Sequence, residues 1–140
     1  MFKSDVELLA VAHKVVQEAE KDAERNPAGE WIQVIVVEPQ KTPYKKTIPN
    51  TLEAITELIG GYMEGISLWR ETETGAPLFL ICNEEGKLLN LPFNRKIMGF
   101  DTIVGTFFIT AVNKMGDHVS IDDPTADKLI KQFNSTEVYL

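Results

Sequence analysis

The stretch GGYMEGISLWRETETGAPLFLICNEEGKLLNLPFNRKIMGFDTIVGTFFI, residues 60–109, decides the fold of this chain. It holds most of the nine glycines, the single cysteine and three short apolar runs separated by polar loops. Short apolar runs bounded by glycine and polar residues are typical of strands. The stretch therefore predicts consecutive strands of a sheet, with helices before and after it.

Four strands are predicted inside this stretch, at residues 62–70, 78–82, 87–91 and 104–112. The run 78–82 is apolar throughout, which favours a central strand covered on both faces. Residues 83–86 form a tight turn, after which the third strand returns antiparallel. Residues 92–101 are expected to form an irregular connection.

Strands and helices are also predicted on both sides of the stretch. Residues 31–38 and 44–48 are rich in β-branched and aromatic side chains and indicate a hairpin. A helix is expected to begin at Asn50 as its cap and to end at Gly60, because glycine adopts the left-handed C-terminal conformation without steric cost. Another helix is expected to begin at Asp123, with proline in its first turn.

At the N-terminus, residues 4–26 show apolar positions at helical spacing. The apolar stripe is thin, so this helix needs a surface to pack on. That surface is either the sheet or a second copy of the chain, which would make a homodimer through this helix.

These elements predict an α+β fold in one domain spanning residues 1–140. We expect a mostly antiparallel mixed sheet of about five to six strands, with helices packed on one face, in the order α-ββ-α-β-β-β-β-α. The parts of this domain are an N-terminal helix (1–28), a core (31–113) and a C-terminal helix and tail (123–140).

Composition limits the classes of function. The chain has 140 residues, 44% hydrophobic residues and a net charge of −7. An acidic protein lacks the basic surface that binds nucleic-acid phosphates, so direct nucleic-acid binding is not expected. No apolar run approaches the roughly 20 residues that span a bilayer, and the first residues do not resemble a secretion signal. A cytoplasmic location is therefore expected.

The residues that usually carry catalysis are sparse. His13 and His118 lack partners at metal-ligand spacing, and a single cysteine, Cys82, excludes a CxxC zinc site. The glycines lack the spacing of a dinucleotide-binding turn, and no nucleophile or P-loop motif is present. The sequence therefore predicts no catalytic residue, no metal and no cofactor.

One polar cluster stands out between the apolar strands. An arginine in an irregular connection can offer a bidentate fork to a phosphate or carboxylate, and a neighbouring amide can add specificity. The predicted ligand- or partner-binding residues are Asn83, Glu84, Asn94, Arg95 and Thr106. They are expected to line a concave site beside the turn at residues 83–86.

The same cluster has a structural interpretation. Asn83 is then a turn residue, Glu84 faces solvent, and Arg95 ties the connection to an acid such as Asp101 or Glu84. The sequence leaves the two interpretations open.

Several ordered motifs carry a family resemblance. They are VVEP at residues 36–39, NTLExxxxxIGGYME at 50–64, CNEEGKL at 82–88, LPxNR at 91–95 and IxGTFFI at 103–109. Together they resemble a small-domain family of bacteriophages and conjugative elements that has no assigned activity. The resemblance covers roughly residues 32–113 and leaves the first and last helices outside it.

What the resemblance implies is biological context. Such domains accompany anti-restriction functions, so it implies an accessory protein that acts against a host cell. The leading hypothesis is a non-enzymatic module that binds a host defence protein or sequesters a small nucleotide signal. The alternatives are a small nucleotide-acting enzyme and an acidic DNA mimic of the anti-restriction or anti-CRISPR type.

Overall fold

The computed structural model describes residues 31–140 of the chain. The predicted helix over residues 4–26, and with it the homodimer contact, lies outside the described residues. The elements in chain order are β1 (Trp31–Val37), β2 (Tyr44–Pro49), α1 (Leu52–Ile59), β3 (Met63–Glu71), β4 (Pro77–Asn83), β5 (Phe93–Ile97), β6 (Thr102–Val104), β7 (Phe107–Val112), β8 (His118–Val119), α2 (Asp123–Phe133) and β9 (Glu137–Val138). The mixed, mostly antiparallel α+β character expected from the sequence is confirmed.

The main sheet is antiparallel, with strand order β2-β1-β7-β4-β3 and β8 paired to β7. Strand β7 occupies the middle of this order, and all six of its residues are buried. Residues 78–82 were expected to form the central strand, but they belong to β4, which is the neighbour of the central strand β7. That expectation was therefore wrong by one strand.

Both faces of the main sheet are covered. Ile55 and Ile59 of α1 pack with Phe108 on one face, whereas Leu129 and Phe133 of α2 belong to the core on the other. The prediction that the helices share one face was therefore wrong. Strands β1 and β7 are apolar on both faces, and each face requires its own cover.

A second sheet of three strands has the order β6-β5-β9, in which β5 and β9 are parallel. Its strand β5 occupies residues 93–97, so the prediction of an irregular connection over residues 92–101 was wrong for that half of the range. The tail contributes to this sheet through Val138, which is fully buried and packs into the α2-side core.

The predicted strand 104–112 is two strands, because Gly105 interrupts it. Gly105 has φ +74°, and a Cβ placed there would lie 2.7 Å from Leu91 Cδ1. A left-handed conformation breaks the strand geometry, and glycine adopts it at little steric cost. The interruption lets β6 join the second sheet while β7 remains in the first.

Residues 84–90 contain no strand, so the predicted antiparallel return at 87–91 was also wrong. Gly86 N donates to the Asn83 carbonyl (3.2 Å), and Leu89 N donates to the Glu85 carbonyl (2.9 Å). These short-range bonds close a turn of helical character. As a result Leu88 is left 83% exposed.

The helix ends agree with the sequence to within one residue. Gly60 adopts φ +79° and ends α1, which confirms the prediction. The N-cap of α1 is Thr51 rather than Asn50, which is buried and donates from Nδ2 to the His118 carbonyl at 3.4 Å. The cap of α2 is Asp122 rather than Asp123. None of the helices in residues 31–140 is long and apolar enough to cross a membrane.

Candidate functional site

Arg95, the predicted anion-binding arginine, is 2% exposed and donates to three main-chain carbonyls and one side-chain amide oxygen. Nε donates to the carbonyl of Phe133 (2.7 Å) and Nη2 to the carbonyl of Lys41 (2.7 Å). Nη1 donates to the carbonyl (3.0 Å) and to Oδ1 (2.8 Å) of Asn94. The guanidinium therefore fastens the end of α2 and the β1–β2 turn to β5.

Burial lowers the pKa of the Arg95 guanidinium below its ordinary range, yet arginine remains charged near neutral pH. Among the ion pairs of residues 31–140, no acid pairs with it, and Asp101 pairs with Lys87 instead. Arg95 therefore holds parts of the fold together, as in the structural interpretation of the sequence. Its partners are carbonyl oxygens rather than the acids Asp101 or Glu84.

Asn94 is 1% exposed and has a similar fastening role. Its Nδ2 donates to the carbonyls of Val37 (2.9 Å) and Gly105 (2.8 Å). The side chain therefore joins the end of β1 to the glycine that separates β6 from β7. Thr106 follows that glycine and is half-buried. It is not among the residues that line the cleft described in the next paragraph.

A concave site is lined by residues of β3, β4 and β6 and of the turn that follows β4. We call it the Cys82 cleft, and it encloses about 160 Å³. Its lining residues are Glu64, Ile66, Cys82, Asn83, Glu84, Lys87, Leu88, Asp101, Thr102, Ile103 and Val104. Two of the five predicted site residues, Asn83 and Glu84, belong to it, and Asn94, Arg95 and Thr106 do not.

The floor of the cleft is apolar and contains the single cysteine. Ile103 belongs to the α2-side core together with Cys82, and Ile66 packs against that core. Burial raises the pKa of the Cys82 thiol to about 12. The thiol is therefore protonated at neutral pH and acts as a small apolar group rather than as a nucleophile.

The mouth of the cleft is charged. Lys87 Nζ donates to Asp101 Oδ2 at 2.7 Å, and Thr102 N donates to Asp101 Oδ1 at 2.7 Å. The hydrogen bond from Lys87 lowers the pKa of the Asp101 carboxyl. Glu84 is exposed and Glu64 is half-buried. Among the described residues, the mouth thus carries the carboxylates of Glu64, Glu84 and Asp101 and the ammonium of Lys87.

Backbone contacts hold Glu84 at the mouth. Glu84 N donates to the Tyr62 carbonyl at 2.8 Å, which extends the β3–β4 ladder by one pair. Asn83 Oδ1 accepts from Glu85 N at 2.8 Å, and Asn83 Nδ2 lies 3.5 Å from the Ile59 carbonyl. Asn83 therefore shapes the turn and joins it to the end of α1.

Sequence reasoning missed most of the cleft, including Glu64, Lys87, Leu88 and Asp101. One signal was available, because strand alternation places Glu64 and Ile66 on the same face of β3. The approach of β6 was not visible, since it depends on the second sheet. In the part of the chain that the structure describes, no group of three or more His, Cys, Asp or Glu side chains is placed to hold a metal ion.

Comparison with known families finds a match over most of the chain. The family model of the domain of unknown function DUF3846 covers residues 32–134, which includes α2 and so extends beyond the range of the sequence resemblance. No curated protein and no solved structure matches the chain.

Proposed function

The chain belongs to the DUF3846 family, and we propose that it is a non-enzymatic accessory protein of a phage or mobile element that binds a host defence protein. The motif resemblance supports the biological context, and the Cys82 cleft supports the binding role. The observation on which the proposal depends is a small cleft with acids at its mouth and an uncovered leucine, Leu88, at its edge.

The cleft favours a protein over a nucleotide signal on grounds of size. Ligand pockets for small molecules typically enclose roughly 300–1,000 Å³. The Cys82 cleft encloses about 160 Å³, which suits one side chain rather than a base, a sugar and a phosphate together.

Charge favours the same choice. A nucleotide phosphate requires cationic or N–H donors, whereas Lys87, the one cationic side chain among the described residues that line the cleft, is already paired with Asp101. Arg95, which the sequence suggested as the phosphate ligand, is committed to the carbonyls of Phe133 and Lys41.

The two alternatives receive less support from the described residues. A hydrolase or transferase requires an activated nucleophile, whereas Cys82 keeps its proton and His118 is fully buried beside Thr110. A DNA mimic needs carboxylates spaced along an extended face. Here several surface acids are paired with lysines: Asp123 and Asp127 share Lys45, Glu73 pairs with Lys128, and Asp101 pairs with Lys87.

The test is co-purification of the tagged full-length chain from bacterial host cells, followed by mass spectrometry of proteins and of released small molecules. Glu84→Arg and Glu53→Arg serve as a matched pair, since both glutamates are exposed and Glu53 lies on α1.

The proposal predicts one stoichiometric defence protein, whose activity falls when it is bound, and its loss from the Glu84→Arg protein alone. Recovery of a nucleotide without protein, or of no partner from cells that carry active defence systems, would overturn the proposal.

A further inference from the structure

We propose that the Cys82 cleft accepts an arginine side chain from an exposed segment of the partner protein. Tyr62 and Leu88 would then contact the residues on either side of that arginine. This inference rests on the proposed function, and it adds the chemistry by which the partner is recognised.

The dimensions of the cleft suit one long side chain. Its floor of Ile66, Cys82 and Ile103 is apolar, and its acids stand at the mouth. A long basic side chain has the matching profile, because its methylene stem packs on apolar surface while its charged head stays near polar groups.

Charge complementarity selects a cation. Glu84 and Asp101 contribute two negative charges, and Lys87, which is paired with Asp101, contributes one positive charge, so the net formal charge of these three groups is −1. The whole chain carries −7, which also attracts a basic partner over longer range.

Arginine fits this mouth better than lysine. Its planar guanidinium donates in parallel to carboxylate oxygens and is less strongly hydrated than an ammonium. Tyr62, whose carbonyl accepts from Glu84 N, is 72% exposed and offers apolar surface to the residues beside that arginine.

The mouth is also held in place before binding. The backbone of Glu84 is fixed by its hydrogen bond to Tyr62, and the carboxylate of Asp101 is fixed by Lys87 and by the Thr102 N–H. Preorganised groups lose little conformational entropy on binding. Leu88, which is 83% exposed beside these groups, provides apolar surface that a partner would cover.

The test uses the full-length ¹⁵N-labelled chain and the peptide acetyl-Gly-Leu-Arg-Leu-Gly-amide. The matched probe replaces arginine by citrulline, which keeps the shape and removes the charge. We expect the arginine peptide to shift the amide signals of Glu84, Thr102 and Val104, and the citrulline peptide to bind about tenfold more weakly.

The protein variants are Glu84→Gln and the control Glu53→Gln. We expect the first to weaken binding of the arginine peptide about threefold or more, and the second to leave it unchanged. Shifts that are equal for both peptides, or confined to residues away from the cleft, would overturn the inference.

The two proposals fail separately. If a defence protein is captured but the Glu84→Gln and citrulline changes have no effect, the arginine site is wrong and the binding function stands. If the arginine peptide binds the cleft but no host protein is captured, the site stands and the proposed function is wrong.

Discussion

Arg95 Nε lies 2.7 Å from the carbonyl oxygen of Phe133, the last residue of α2. A strand of the second sheet thereby holds the end of a helix that packs on the first sheet. The contact stabilises the helix as well, because its last carbonyls have no partner inside the helix and a cation suits the negative end of the helix dipole.

Replacing Arg95 should therefore affect stability before binding. Arg95→Ala leaves the buried carbonyl of Phe133 and the partly buried carbonyl of Lys41 without this donor. Each unsatisfied buried group costs about 1–3 kcal/mol, so we expect a loss of about 3 kcal/mol or more in the free energy of unfolding. Urea denaturation measures it.

The control for Arg95 is Arg70→Ala, at an exposed position of β3. Arg95→Lys should recover little of the lost stability, because an ammonium cannot donate to all the oxygen atoms that the guanidinium contacts. An unchanged urea midpoint for Arg95→Ala would show that the buried contacts do not stabilise the fold.

Gly60 tests backbone conformation separately from packing. It has φ +79°, and a Cβ placed there would meet no atom within 4 Å. Gly60→Ala should therefore cost about 1 kcal/mol through backbone strain alone, Gly60→Val more, and Gly60→Asn less, because asparagine tolerates the left-handed region. Thermal unfolding measures the order of stability of the three variants. Equal stabilities for the alanine and asparagine variants would contradict this explanation.

His118 should make stability depend on pH. Burial lowers the pKa of its imidazole from 6.5 to about 4, and its Nδ1 lies 3.0 Å from Thr110 Oγ1. Because the folded pKa lies below the unfolded one, the unfolded chain takes up the proton first. The contribution of the neutral side chain is therefore complete above pH 6.5 and falls away between pH 6.5 and 4, by about 3 kcal/mol.

Urea denaturation from pH 7.5 to 4 checks this prediction, with His118→Asn as the comparison that cannot titrate. The difference in stability between the two proteins should change across that range and level off below it. A constant difference would show that His118 takes up its proton in the folded protein as readily as in the unfolded chain.

Lys87 should lower the pKa of Asp101 at the mouth of the cleft while contributing little to the stability of the fold. Its hydrogen bond lowers the pKa of the Asp101 carboxyl, and both side chains are 63% exposed. In Lys87→Met the pKa of Asp101 should rise toward its ordinary value of 3.8, while the melting temperature changes little, as is usual for an exposed ion pair. NMR titration of the Asp101 carboxyl carbon measures the shift. An unchanged Asp101 pKa would contradict the assigned cause.

The sequence predicted those elements whose cause is local. The left-handed end of α1 at Gly60 and the apolar strands β1 and β4 follow from nearby residues. The capping error at α1 arose because the Asn50 side chain donates to the distant His118 carbonyl, which leaves Thr51 to cap the helix.

The elements that were missed depend on distant contacts. Strand β5 contains Asn94, Arg95 and Lys96, a sequence typical of a polar loop. It forms a strand because β6 and β9 pair with it. The buried position of Arg95 likewise requires the end of α2 and the β1–β2 turn to converge on it. For the same reason the sequence grouped Arg95 with Glu84, although only Glu84 lines the cleft.

The most direct test of the central claim is calorimetric titration of the captured partner with the wild type, Glu84→Arg and Glu53→Arg proteins. Binding through the acidic mouth predicts that Glu84→Arg weakens affinity about tenfold or more, that Glu53→Arg has no effect, and that salt weakens the wild-type complex. Equal affinities for the three proteins would contradict the claim that this domain recognises its partner through the Cys82 cleft.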